Sequence, residues 1–190
     1  MISDHNTDSN NPPQSQIELI LKLFNSKKFA EVKKEINKQI LKNPNSYILF
    51  NILGGVLSEE EQFLQAVENY NKALKIKPDY AEAYNNLGIA FQKLNRVNEA
   101  ISNYKKAINF KRDFSIAYNN LGNALLSTNK LQESLQNYKE AININSNYYQ
   151  AYNGLGDVYR ILGDKNNAIK NFEMATKIKP DYAEAYNNLG

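Results

Sequence analysis

Surface chemistry needs a nucleophile, a general base, a set of metal ligands or a phosphate cradle, and this chain is nearly bare of all four. Cysteine is absent and the single histidine is His5, close to the N-terminus. A Ser/His/Asp arrangement, a thiolate nucleophile and a cysteine- or histidine-based metal site are therefore out of reach. Five of the eight glycines, Gly54, Gly88, Gly122, Gly156 and Gly190, stand 34 residues apart. That is the spacing of packing units and not of a phosphate-binding turn. The densest acidic cluster is Glu59 to Glu61; in a turn between helices it would face the positive N-terminal end of the next helix. No catalytic residue, cofactor or metal is expected. What recurs instead is the carboxamide: Asn51, Asn85, Asn119, Asn153 and Asn187 share one phase, and Asn86, Asn120 and Asn188 the next. A carboxamide carries both a donor and an acceptor, so a row of them at a regular rise can grip an extended peptide backbone whatever its side chains. The chain is also rich in Asn, Lys and Ile throughout, and a genome biased toward A and T would yield the same asparagines without selection for binding.

The elements that carry these amides follow from internal repetition. Residues 77–88 and 179–190 read the same twelve letters, KPDYAEAYNNLG, at an offset of 102, three times 34. Intermediate copies share the phase: Leu53, Leu87, Leu121, Leu155 and Leu189; Phe50, Tyr84, Tyr118, Tyr152 and Tyr186; Tyr70, Tyr104, Tyr138 and Phe172; Ala73, Ala107, Ala141 and Ala175. Tyr84, Leu87, Gly88 and Phe91 recur at i, i+3, i+4 and i+7, one stripe of an α-helix, and Ala100, Tyr104 and Ala107 form a second stripe. Glycine at the eighth place and alanine at the twentieth are small where two antiparallel helices cross closely. Asn95, Asn129 and Gly163 lie between the stripes and tolerate the left-handed backbone that ends a helix. Asp79 with Glu82, Asn147 with Gln150 and Asp181 with Glu184 have capping-box spacing. Pro78 and Pro180 close the helices before them. One helix pair cannot bury its own apolar face, so the units must stack.

The expected units are 47–80, 81–114, 115–148 and 149–182. A degenerate one at 13–46, with Ile20 in the glycine place and Gln39 in an alanine place, reads as an N-terminal cap, and residues 1–12 read as a disordered tail. Residues 183–190 begin a further first helix and stop at its second turn. The expectation is a fragment of a longer array, or the start of a larger protein.

Composition excludes several classes. Hydrophobic residues at 42% and charged residues at 23% suit a folded chain and not a disordered one. The longest apolar run, Ile17 to Phe24, is broken by Glu18 and Lys22, so no segment is expected to insert in a membrane. No secretory leader is visible, and a chain without cysteine suits a reducing, cytoplasmic setting. A net charge of +3 gives no basic stripe for nucleic acid. Residues 13–46 carry seven lysines against three glutamates, which reads as a solvated helical face. Most of the thirteen tyrosines and eight phenylalanines fall on core phases; Tyr80, Tyr149 and Tyr182, near unit junctions, are the ones expected to be exposed.

With these residues in view, 13–190 resembles the tetratricopeptide repeat (TPR) family. The resemblance implies an all-α fold, a right-handed superhelical solenoid of helix–turn–helix repeats, whose first helices line a concave groove for peptides or partner proteins. It places the second, fifth, sixth, ninth, twelfth and thirteenth positions of each unit in that groove. The candidate contacts are then Asn85, Asn86, Asn119, Asn120, Asn123, Asn153, Asp157 and Arg160. Chaperone-binding members clamp a terminal carboxylate with basic groove residues; here the second places hold Ile48, Glu82, Ile116 and Gln150, so that ligand is not expected. Repeated Tyr-Asn-Asn-Leu-Gly also resembles arrays in front of O-linked glycosyltransferases and in bacterial multidomain proteins. The function implied is an interaction scaffold. The alternative is a substrate-recruiting module of a larger enzyme, a glycosyltransferase or sulfotransferase, with its catalytic domain beyond residue 190.

Overall fold

The unit of construction is a helix, a tight turn and a second helix, and the turn explains why the chain reverses where it does. Lys27, Glu61, Asn95, Asn129 and Gly163, each 34 residues after the last, all have positive φ, between 55° and 79°. At Lys27, Glu61, Asn129 and Gly163 the next residue's N–H reaches back five residues: Lys28 to Leu23, Gln62 to Leu57, Lys130 to Leu125 and Asp164 to Tyr159, at 2.8–3.0 Å. This is the Schellman closure, which satisfies a carbonyl that the helix end leaves bare. Asparagine and glycine announce it in three turns. Lysine and glutamate occupy the same register silently, against the left-handed strain of about 1–2 kcal/mol that applies to ordinary residues.

The computed structural model describes residues 10–189. His5, residues 1–9 of the expected tail, and Gly190 lie outside the described residues. The described chain is already packed at Asn11, whose Oδ1 accepts the Ser46 hydroxyl at 2.7 Å, and at Pro12, which is buried. Two compact units divide the chain, Met1–Leu94 and Asn95–Gly190.

The N-terminal unit contains α1 (Gln14–Asn25), α2 (Phe29–Lys42), α3 (Tyr47–Glu59), α4 (Phe63–Ile76) and α5 (Ala81–Lys93). Each of these helices packs on the next in sequence. Ile20, in the glycine place, and Ile36, in a place held by tyrosine or phenylalanine elsewhere, are both fully buried with Val32, Leu49 and Val56. Two medium side chains thus stand where later repeats set a glycine against a ring, at similar total volume. Lys33 of α2 pairs with Glu60, the central carboxylate of the acidic cluster, at 2.7 Å.

The C-terminal unit contains α6 (Val97–Phe110), α7 (Ser115–Ser127), α8 (Leu131–Ile144), α9 (Tyr149–Ile161), α10 (Lys165–Ile178) and α11 (Ala183–Leu189), again packed in succession, with α7 also touching α9. Gly122, Gly154 and Gly156 of this unit are small because rings lie on them. A Cβ on Gly156 would stand 2.5 Å from the Phe172 ring, and one on Gly122 would stand 2.8 Å from that of Tyr138. Where Ser134 replaces the usual alanine it is fully buried, and its hydroxyl donates to the Gly122 carbonyl at 2.8 Å.

Helix ends correct one expectation. The N-caps of α5 and α9 are Tyr80 and Tyr148, one residue after Asp79 and Asn147, and neither helix has a side-chain cap. The side-chain caps that do form are Ser46 on the Leu49 N–H and Asp164 on the Asn167 N–H. Proline behaves as expected: Lys77 and Lys179, before Pro78 and Pro180, are extended and end α4 and α10.

Candidate functional site

The candidate residues sit on the first helix of each pair, and burial sorts them into layers. Asn85, Asn119 and Asn153, of the fifth place, are 4%, 5% and 3% exposed. Asn86, Asn120 and Asp157 are half-buried, while Asn123 and Arg160 are exposed. The sequence alone presents these residues as one row; the structure brings the sixth-, ninth- and twelfth-place side chains outward and sinks the fifth between helices.

The sunken amides bond across repeats. In the N-terminal unit Asn86 Nδ2 donates to Asn51 Oδ1 at 3.1 Å. In the C-terminal unit Asn188 Nδ2 donates to Asn153 Oδ1, also at 3.1 Å. The rule is that the sixth place of one repeat donates to the fifth place of the repeat before, fixing the register of neighbouring first helices. Asn153 in turn donates to Glu184 Oε1 at 3.1 Å, and Glu184 Oε2 accepts the Tyr182 hydroxyl at 2.7 Å. Arg160 donates to Asp157 at 2.7 Å.

One rung is missing. The sixth-place residue after Asn119 is Gly154, which has no side chain to donate, and Asn119 Oδ1 is buried with no hydrogen-bond partner. The tip of the Tyr138 ring fills the place beside it: a Cβ on Gly154 would lie 2.4 Å from Cζ and 2.7 Å from the hydroxyl oxygen. Tyr138 donates that hydroxyl to Asn123 Oδ1 at 2.6 Å. Burial holds its pKa well above the usual phenol range. A recess of about 200 Å³ opens here, lined among others by Asn119, Asn123, Gln150, Asp157 and Glu184.

The junction tyrosines are spent on each other. Tyr47 and Tyr80 meet edge to face at 4.9 Å, as do Tyr149 and Tyr182 at 4.8 Å, and Lys77 and Lys179 each cover one ring of their pair. All four rings are half-buried. Burial, with Glu82 and Tyr47 adding to it, pushes the Tyr80 hydroxyl up to about 12.

A second asparagine series went unremarked in the sequence although it shares the 34-residue phase. Asn69, Asn103, Asn137 and Asn171, on the second helices, each donate to the carbonyl four residues back at 2.7–2.8 Å. Its bonds are internal to each helix, which makes it structural. Among the described residues, no group of three or more His, Cys, Asp or Glu could hold a metal ion, and no helix is long and apolar enough to cross a membrane.

Stacked helix hairpins with a phased amide layer define a class of repeat protein. A family profile described as TPR repeat matches residues 54–95, 93–128, 122–160 and 156–190. The chain belongs to the TPR repeat family, whose helix pairs stack into all-α solenoids that typically serve protein–protein interaction. Solved structures agree in fold. MamA matches with a TM-score of 0.74 at 24% identity, over 86% of this chain and 95% of that one. YrrB, titled a TPR protein with an unusual peptide-binding site, matches with a TM-score of 0.71 at 17% identity, over 95% and 93%. PilF of Pseudomonas aeruginosa matches with a TM-score of 0.79 at 19% identity, over 92% and 87%. No curated protein matches the chain in sequence.

Proposed function

We propose that this chain is an interaction scaffold whose first-helix face in the C-terminal unit binds an extended segment of a partner protein. One observation carries the reading: on α7 and α9, Asn120, Asn123, Asp157 and Arg160 form a wet polar layer above a buried layer of asparagines. Direct packing of α7 against α9 fixes their spacing, so the outer groups are presented at a repeat set by the fold. Such preorganisation lowers the ordering cost of binding a strand-like peptide. That YrrB has a peptide-binding site on a similar fold supports the assignment.

The test is selection of binders from a displayed library of random peptides, followed by titration of one selected peptide. The double variant Asn123→Ala, Arg160→Ala should weaken it about tenfold or more, the loss of one or two hydrogen bonds. A selected peptide that binds the double variant as tightly as the parent would place the binding surface elsewhere and refute the reading.

A further inference from the structure

We propose that the recess beside Gly154 is a cation-accepting subsite, built to take a primary ammonium group such as a lysine side chain of the bound segment. This rests on the peptide-binding reading for its biological meaning, but the chemistry stands on the recess alone. Two carboxylates line it, Asp157 and Glu184, and no lysine or arginine does. The donors that could neutralise them are committed: Tyr182 and Asn153 each hold one oxygen of Glu184, and Tyr138 holds Asn123. Arg160 engages Asp157 through one oxygen while its own side chain stays more than half exposed. The recess therefore has more acceptor capacity than donors to fill it.

Asn119 adds an independent sign. Its Oδ1 is the one buried side-chain acceptor without a partner among the described residues, an arrangement that destabilises by about 1–3 kcal/mol when nothing bonds to it. Asn119 lines the recess, and a half-turn about Cβ–Cγ presents Oδ1 to it. The volume of about 200 Å³ exceeds several times the ~30 Å³ share of a water molecule, room for an ammonium and the last methylenes of its stem. An ammonium brings three donors and no acceptor, the complement of this wall. A carboxylate would meet two like charges. A neutral alkyl group would leave the acceptors dry.

The experiment is a titration of the full chain, labelled with ¹⁵N, by n-butylammonium chloride at constant ionic strength. Butanol and sodium butyrate serve as neutral and anionic counterparts of the same length. Butylammonium should give saturable shifts centred on the side-chain amides of Asn119 and Asn123 and the backbone N–H of Gly154, while the other two do not. Glu184→Gln and Asp157→Asn, both at partly wet positions, should each weaken this binding about threefold, as loss of one of two partly exposed charges implies. Asn119→Leu should abolish the shifts at Gly154 with the fold intact by circular dichroism. Equal shifts with butanol, or ammonium shifts scattered over surface carboxylates without saturation, would overturn the proposal. Library peptides that bind without any lysine preference, on a recess silent to butylammonium, would sink this inference and leave the scaffold reading standing. Saturable ammonium binding with no selected peptide would do the reverse.

Discussion

Gly154 and Gly55 are both helical glycines, yet replacing each by alanine should move stability in opposite directions. In an open helix the exchange stabilises by about 1 kcal/mol, because glycine has more freedom to lose. At Gly55 a Cβ would stand 3.6 and 3.7 Å from the Phe24 ring, ordinary contact, so the full gain of up to about 1 kcal/mol is expected. At Gly154 the same atom would fall 2.4 Å from Tyr138 Cζ and 2.5 Å from Cε1. The ring has little room to move: it is fully buried, tied through its hydroxyl to Asn123, and close to Gly122 as well. Overpacking of this kind costs roughly 1–3 kcal/mol. At so short an approach the upper half applies, leaving a net loss of about 1–2 kcal/mol after the helix gain. For a chain of this length that is a fall of roughly 2–8 °C in Tm, read by circular dichroism, against a rise for Gly55→Ala. Placing Gly154→Ala on a Tyr138→Ala background should turn the loss into a gain, since the clash is then absent. If Gly154→Ala stabilises the parent chain, or lowers Tm equally with and without the Tyr138 ring, the packing argument is wrong.

Other consequences can be checked on the same samples. Leu121, 3% exposed in the middle of the C-terminal unit, should cost roughly 2–5 kcal/mol on replacement by alanine, measured by urea unfolding. Glu61→Asn should raise stability by a few tenths to about 1 kcal/mol, because φ of 60° at Glu61 is strained for glutamate and tolerated by asparagine. The Asp164 carboxyl is held below the usual range by the Asn167 side chain and then by its N–H. Its contribution is present above the ordinary carboxylate pKa and lost as pH falls through the depressed one. Asp164→Ala should therefore lower Tm at neutral pH, with the gap closing in acid. Tyr70 and Tyr80 are pushed up to about 12, chiefly by burial. Their support is complete below the ordinary phenol value and declines as pH rises toward 12, so alkaline titration at 295 nm should show a late, cooperative set of tyrosines.

The helices and the family were legible because glycine, leucine and ring places recur at a fixed interval. That recurrence reports packing, which every unit must solve alike. Three features were not legible, each for a definite reason. Capping by Asp79 and Asn147 has the right spacing, but the helix starts one residue later, and spacing alone does not reveal such a shift. The left-handed turns at Lys27 and Glu61 hide behind residues that rarely adopt that backbone. The split between buried and wet asparagines is set by which neighbour each amide reaches across the stack, as with Asn86 and Asn51. Gly154 interrupts the column of Asn86, Asn120 and Asn188 in the sequence itself. What that departure does, leaving Asn119 Oδ1 buried without a partner while the Tyr138 ring crowds Gly154, is set by packing that the sequence does not display.

The amide bonds Asn86 to Asn51 and Asn188 to Asn153 each span 35 residues, one full period plus one. A gene that gains or loses one whole period leaves every such pairing available to the new neighbours. A gene that gains a single codon within a first helix misaligns the pairing at that point. The bond thus acts as a ruler on length variation: the array can grow or shrink in steps of 34, and intermediate lengths are penalised at the junction where they occur.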